Sequence, residues 1–204
     1  MAISVLRVPE AAYRAGRRAV LAAGLAACAL GLAACGGSPS ATFDLSAPKD
    51  GLSRGRGVGT LVVTEPMALQ VYDGDKIVVR GAGGTLSYLG GAQWADRLPK
   101  LVQARIVQTF ENAQRFKQVG YPGDRLSPDY AVVTEIRTFE IDAQSRDAVV
   151  EIAVKLVRSA AGSISAGKLF SARVPVPAID GPGATTALDA ALSNVLRQIA
   201  AYGG

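Results

Sequence analysis

The sequence predicts an α+β domain, a mixed and mainly antiparallel sheet with two helices packed on it, behind an N-terminal leader. Three observations carry this. Leu98, Val102, Ile106, Phe110 and Ala113 recur every three or four residues, as do Leu188, Leu192, Val195 and Ile199; each series is one buried helical stripe. Ala148, Val150, Ile152, Val154 and Leu156 alternate with Glu151 and Lys155, the period-two pattern of a strand with one buried face. Short apolar runs separated by Asp-Gly, Gly-Gly and Pro fill the chain ahead of the first helix, and such dipeptides punctuate strands.

The leader comes first. Arg7, Arg14, Arg17 and Arg18, against a single Glu10, precede an apolar run of about sixteen residues, Ala19 to Ala34. A basic segment, a short apolar segment and small residues before a break make a secretory signal peptide. A spanning helix needs roughly 20 apolar residues, so the run is too short to be a transmembrane anchor. Its end, Leu32-Ala33-Ala34-Cys35, resembles the bacterial lipobox, where a peptidase cuts before a thiol that carries diacylglycerol. Leu25-Ala26-Ala27-Cys28 spells the same tetrapeptide, but cleavage there would leave Ala29–Ala34 as an apolar stub. Cys35 is therefore the expected lipidation site, bearing a covalent diacylglycerol and an N-acyl chain, with no other cofactor expected. Gly36 stands where an Asp would resemble an inner-membrane retention signal, so the expected address is the periplasmic face of the outer membrane. The domain plan is 1–34 signal peptide, 35–41 lipidated Cys and tether, and 42–204 folded domain.

Within that domain, Thr42–Leu45 reads as a brief strand stopped by Pro48. The stretch Arg54-Gly55-Arg56-Gly57-Val58-Gly59 has glycines but precedes a strand, Thr60–Thr64. A phosphate loop would sit between a strand and a helix, so a plain loop is expected. Leu69–Tyr72 and Ile77–Arg80 read as strands around the Asp73-Gly74-Asp75 turn, and Thr85–Tyr88 as another after the Gly81–Gly84 loop. The two Asp lack the spaced carboxylates of a calcium loop. Asp96 is placed to cap the long helix, Pro99 suits its first turn, and Gly120, Pro122 and Gly123 end it. Glu111 and Arg115 form a favourable i,i+4 pair. Tyr130–Ile141 changes parity near Arg137-Thr138, which predicts a bulge. Ile164–Val174 follows as a strand with Phe170 and Ala172 inward, closed by Pro175 and Pro177, and the last helix starts after Asp180-Gly181-Pro182. The expected order is β-β-β-α-β-β-β-α.

Composition narrows the chemistry. Removal of the leader leaves 170 residues with 18 basic and 16 acidic groups, enough chain for one cored domain. Near-neutral charge with no basic cluster argues against nucleic-acid binding. There is no His in the sequence, and the only Cys after processing is the lipidated one. Ser-His-Asp and Cys-His nucleophiles and the usual zinc sites are thereby removed, and a non-enzymatic role is expected.

Tyr88, a gap of five, then Trp94-Ala95-Asp96-Arg97-Leu98-Pro99 opening a helix resembles the ABC-type transport auxiliary lipoproteins, of the PqiC type. Ile77-Val78-Val79-Arg80, Val107-Gln108-Thr109-Phe110-Glu111-Asn112, and Asp129-Tyr130 leading into Glu135-Ile136-Arg137-Thr138-Phe139 match as well; the Gly-rich 81–84 loop departs. The resemblance implies an outer-membrane lipoprotein of an intermembrane lipid transport system. It would dock an MCE-domain periplasmic protein that serves an inner-membrane ABC permease and ATPase. It would thereby receive the conduit or pass on phospholipid or other hydrophobic cargo. A homo-oligomer would suit a ring-shaped conduit. The rival function is a regulatory lipoprotein that activates a cell-wall synthase, with a Ser and carboxylate hydrolase a distant third.

Candidate contact residues for partner or lipid are Tyr88, Trp94, Arg97 and Leu98. Aromatics are enriched at interfaces, and Arg97 is a cation in a helical first turn, which the helix dipole disfavours. The competing reading of Trp94 is that the only Trp pins the helix N-terminus to the sheet. Glu135, Arg137, Glu140 and Glu151 could supply a carboxylate pair, but at strand spacing they read as a solvated strand face.

Overall fold

The structure is a computed structural model that describes residues 40–202. The signal peptide, Cys35 and the first part of the tether lie outside the described residues. Residues 40–202 form one domain of nine strands and two helices. The strands are β1 (Ala41–Phe43), β2 (Thr60–Val63), β3 (Met67–Ala68), β4 (Lys76–Arg80), β5 (Leu86–Trp94), β6 (Gln118–Gly120), β7 (Tyr130–Asp142), β8 (Asp147–Arg158) and β9 (Ser163–Pro175). Helix α1 (Leu98–Ala113) follows β5, and α2 (Gly181–Tyr202) closes the domain. Among the described residues, no helix is long and apolar enough to cross a membrane.

β7 is the strand on which the sheet is built. Along one side it pairs antiparallel with β8 over its whole length, from Tyr130↔Arg158 to Asp142↔Asp147; β8 pairs in turn with β9. Along its other side three short strands run parallel to it, end to end. β2 lies beside Tyr130–Val132, β3 beside Glu135–Ile136 and β4 beside Glu140–Asp142. The long ladders are antiparallel and the short ones parallel. Pro66, between β2 and β3, lacks the N–H a continuous ladder needs, one local reason for the interruption. β6 extends the sheet beyond β2, while β5 and then β1 extend it beyond β4.

Both helices pack on one face. Val132, Thr134 and Ile136 point toward them, then Phe139 and Ile141, all of them buried. The register shift between Ile136 and Thr138 is the expected bulge, and it keeps the apolar side chains inward across the change of parity. Both expected helical stripes are buried to the last residue.

Several elements differ from expectation. Five strands precede α1 and four separate it from α2. The strand expected at Leu69–Tyr72 is displaced to Met67–Ala68, and residues 69–75 turn back instead, with the N–H groups of Tyr72 and Asp73 donating to the Leu69 carbonyl. The strand expected at Thr85–Tyr88 runs on to Trp94. Helix α1 stops at Ala113 rather than near Gly120, because Gln114 takes a left-handed conformation (φ 52°) that closes the helix. Arg115 is therefore off the helix, and its Nη1 meets the Ser53 Oγ at 3.2 Å instead of pairing with Glu111. The chain freed by the early stop forms β6. Asp96 stands one residue ahead of the cap position, where its carboxylate accepts the Arg97 N–H at 2.7 Å and faces Lys100 at 3.3 Å.

The 54–59 stretch is a loop, as expected, wrapped against the C-terminal end of α1. The Gly55 N–H donates to the Ala113 carbonyl and that of Val58 to Arg115, each at 3.3 Å. A Cβ at Gly55 would lie 2.9 Å from the Arg115 Cα, so only glycine fits that approach.

Candidate functional site

The strand rows place side chains on the face opposite the helices. Partners across a ladder share a face, so Tyr88 (β5), Val78 (β4), Glu140 (β7), Val149 (β8) and Arg173 (β9) form one row. Leu86, Arg80, Asp142, Asp147 and Pro175 form the next, and Met67, Glu135, Ala153 and Leu169 another. Phe139 and Ile141 alternate to the helix side, which leaves Glu140 on the helix-free side. It is nonetheless only 3 % exposed.

Glu140 is buried because two side chains close on it. The Tyr72 hydroxyl, from the turn after β3, donates to Oε2 at 2.5 Å. Arg80 donates from Nε to Oε1 and from Nη2 to Oε2 at 3.1 Å. A buried carboxylate is tolerated only when paired and hydrogen-bonded, and this one is both. Burial first, and then the hydrogen bond to Glu140, push the Tyr72 hydroxyl well above the ordinary tyrosine range. The same carboxylate raises the Arg80 guanidinium. The reading of Glu140 as a solvated residue is corrected. Glu135, Arg137 and Glu151 do sit at the surface, with Arg137 3.6 Å from Glu135 and the Thr138 hydroxyl donating to Glu151 at 3.3 Å. A charged residue between two apolar ones in a strand normally signals an exposed face; the partners that reverse this come from residues 60 and 68 positions away.

Beside this cluster the β4–β5 hairpin carries exposed apolar side chains. Tyr88 is 56 % exposed and Leu86 43 %. Between the pairs Lys76↔Gln93 and Val78↔Tyr88, β5 has a wide bulge. Gly91 supplies it with a left-handed residue (φ 71°). The bulge separates an outer part of β5, whose residues 86–88 are exposed on both sides, from an inner part ending in buried Ala92 and Trp94.

The four expected contact residues thus divide. Tyr88 is on the hairpin, facing outward. Trp94 and Leu98 are core residues at 2 % and 1 % exposure, and Trp94 packs edge-on against Phe139 with centroids 5.9 Å apart. That is the pinning role of the lone Trp, and its backbone N–H donates to the Asp75 carbonyl and that of Leu98 to the Gly74 carbonyl. Arg97 is at the surface with two carboxylates of this chain around it. Its guanidinium donates to Asp73, and to Glu65 at 3.0 Å; Asp73 foremost raises its pKa. The unfavourable cation in the first turn is answered within the chain. Exposed Met67, Leu69, Ile164 and Leu169 were not singled out by sequence. Each occupies a strand position of ordinary alternation or a turn beside one, and no described element covers them.

The fold has counterparts among solved structures. It is similar to protein XCC0632 from Xanthomonas campestris, with a TM-score of 0.73 at 23 % identity, covering 80 % of this chain and 94 % of that one. A second structure, of an uncharacterized protein, aligns with a TM-score of 0.61 at 14 % identity over 81 % of this chain and 96 % of that one. Among curated sequences, protein bll6063 of Bradyrhizobium diazoefficiens is 27 % identical over 170 residues, which is 80 % of this chain. The match covers 45 % of that relative's length. The model of the ABC-type transport auxiliary lipoprotein component matches residues 43–200, from β1 into the last turns of α2, and the chain belongs to that family.

Proposed function

We propose that this auxiliary lipoprotein is a non-enzymatic docking component of an intermembrane lipid transport system. Cys35 anchors it to the periplasmic face of the outer membrane, where the β4–β5 hairpin meets an MCE-domain protein. The observation that carries the reading is the hairpin's exposed apolar edge, Leu86 and Tyr88, beside the Tyr72–Glu140–Arg80 cluster on the same face. Apolar side chains on an ordered strand lose little conformational freedom on binding, which suits a surface that recognises a protein. Energy for transport would come from the inner-membrane ATPase of the same system. Phospholipid or another hydrophobic molecule would be the cargo.

Photo-crosslinkers at Leu86 and Tyr88 in the full chain, irradiated in intact envelopes, test this. Capture of an MCE-domain protein, lost when Cys35→Ala removes the anchor, is the expected result. Capture of a cell-wall synthase alone would transfer the protein to the regulatory class. Crosslinks at Arg97 but not at the hairpin would move the contact to the start of α1.

A further inference from the structure

A second feature lies at the opposite end of the β7 strand from the hairpin. The start of β7, the end of β8, the start of β9 and the C-terminal ends of both helices leave an open cleft of about 350 Å³. Phe116, Tyr130, Leu156 and Tyr202 line it, and Arg115 and Arg158 stand in its wall. Phe116 ties the aromatic wall together, edge-on to Phe110 at 5.6 Å and tilted against Tyr130 at 6.1 Å.

The two arginines make this more than an apolar gap. Among the described residues no carboxylate lies in ion-pair range of either, whereas Arg80 and Arg105 each have one and Arg97 has two. The side-chain hydrogen bonds of Arg115 among the described residues go to Ser53, and its Nε is buried with no hydrogen-bond partner. Lys168 adds a third cation nearby, its Nζ 5.7 Å from the centre of the Tyr202 ring. Asp129, next to Tyr130 in the chain, is already engaged by the Thr60 N–H at 2.8 Å. Guanidinium groups without a carboxylate partner beside aromatic walls suit a phosphate joined to an apolar chain: the phosphate takes charge-assisted hydrogen bonds and the chain takes the cleft. The volume is at the small end of the roughly 300–1,000 Å³ of ligand sites, room for one chain rather than a whole diacyl lipid.

We infer that this cleft is a binding site for an anionic phospholipid, with Arg115 and Arg158 on the phosphate and one acyl chain against Phe116, Leu156 and Tyr202. The inference rests on the reading of this protein as a lipid-pathway component, but its test is separate from partner capture at the hairpin.

The full lipidated chain is reconstituted in phosphatidylcholine vesicles containing a little phosphatidic acid with a diazirine at one chain end. After irradiation, adducts are mapped by peptide mass spectrometry. A diacylglycerol with the same diazirine, lacking phosphate, is the second probe. Adducts should fall on Phe116, Leu156 and Tyr202 and be about tenfold more abundant with the phosphate probe, the factor worth one good charge-assisted bond. Arg158→Ala, at an exposed position that leaves the fold intact, should remove most of that excess. Ala166→Trp, which fills the cleft, should abolish cleft adducts from both probes while circular dichroism reports a folded chain. Equal labelling by the two probes, adducts only outside the cleft, or no response to either substitution overturns the inference. Suppression by millimolar inorganic phosphate would reassign the arginines to free phosphate. Any of these failures alongside capture of an MCE-domain protein at the hairpin would leave the docking reading intact.

Discussion

At the scale of single residues, Glu140 decides the most. Its carboxylate is buried, while the Arg80 side chain that pairs with it is 38 % exposed, so water can partly replace the guanidinium. Arg80→Ala should therefore cost less than the roughly 3–5 kcal/mol of a fully buried broken pair, about 1–3 kcal/mol, the worth of hydrogen bonds to a charged group. Arg80→Ala combined with Glu140→Gln should be milder than the sum of the two, as urea midpoints of the four proteins would show. Tyr72 gives a pH dependence of definite sign. Its acid form is favoured in the fold and its pKa raised, so its contribution is whole below the unfolded tyrosine value of about 10. It is lost as pH rises toward the folded value. Tyr72→Phe should flatten the decline in stability between neutral pH and pH about 11; an unchanged slope would assign that decline to other groups.

The start of α1 shows how one element is fixed at both ends of its first turn. No side chain caps the helix, and the free Leu98 N–H is met instead by the Gly74 carbonyl at 2.8 Å. Trp94 and Leu98 then seat the turn in the core. Leu98→Ala removes a side chain with almost no exposure and should destabilise the domain by about 2–5 kcal/mol, the usual range for a buried Leu. Leu86→Ser and Tyr88→Ser, on the exposed half of the hairpin, should change stability by no more than about 0.5 kcal/mol, yet reduce crosslinking to the partner. A large thermal shift in either would make the hairpin a structural edge rather than a docking one.

Among the described residues, two helices cover one face of the sheet and no further layer covers the other. The helix-free face carries charged side chains such as Glu135, Arg137, Lys155 and Arg173, with Met67, Leu169 and the hairpin residues exposed among them. Hairpin edge and arginine-flanked cleft lie at opposite ends of β7, so a protein partner at one would not obstruct a lipid at the other. The anchor is tested at this scale too. Cys35→Ala should move the protein from the outer-membrane fraction after sucrose-gradient separation, whereas Cys28→Ala should leave it there. The reverse pattern would place the lipid on Cys28.

The sequence by itself determined what depends on periodicity and local stereochemistry: the two helical stripes, the alternating β8, the bulge after Ile136, and the family to which the chain belongs. Apolar residues at the helix or strand period can be buried only by forming that element, whatever surrounds it. Tertiary structure decided what depends on which segments meet. β3 and β6 are too short to show a period, and they exist because β7 and β2 offer them an open ladder. Glu140 has the local signature of a solvated residue and is buried because Tyr72 and Arg80 arrive from distant turns. Trp94 and Tyr88, six residues apart, part company because the bulge at Gly91 turns one half of β5 into the core and leaves the other exposed. The pairing of Arg97 with Asp73 and Glu65, and the lack of such a partner for Arg115 and Arg158 among the described residues, follow from the same cause: a charge's environment is set by the neighbours the fold brings to it.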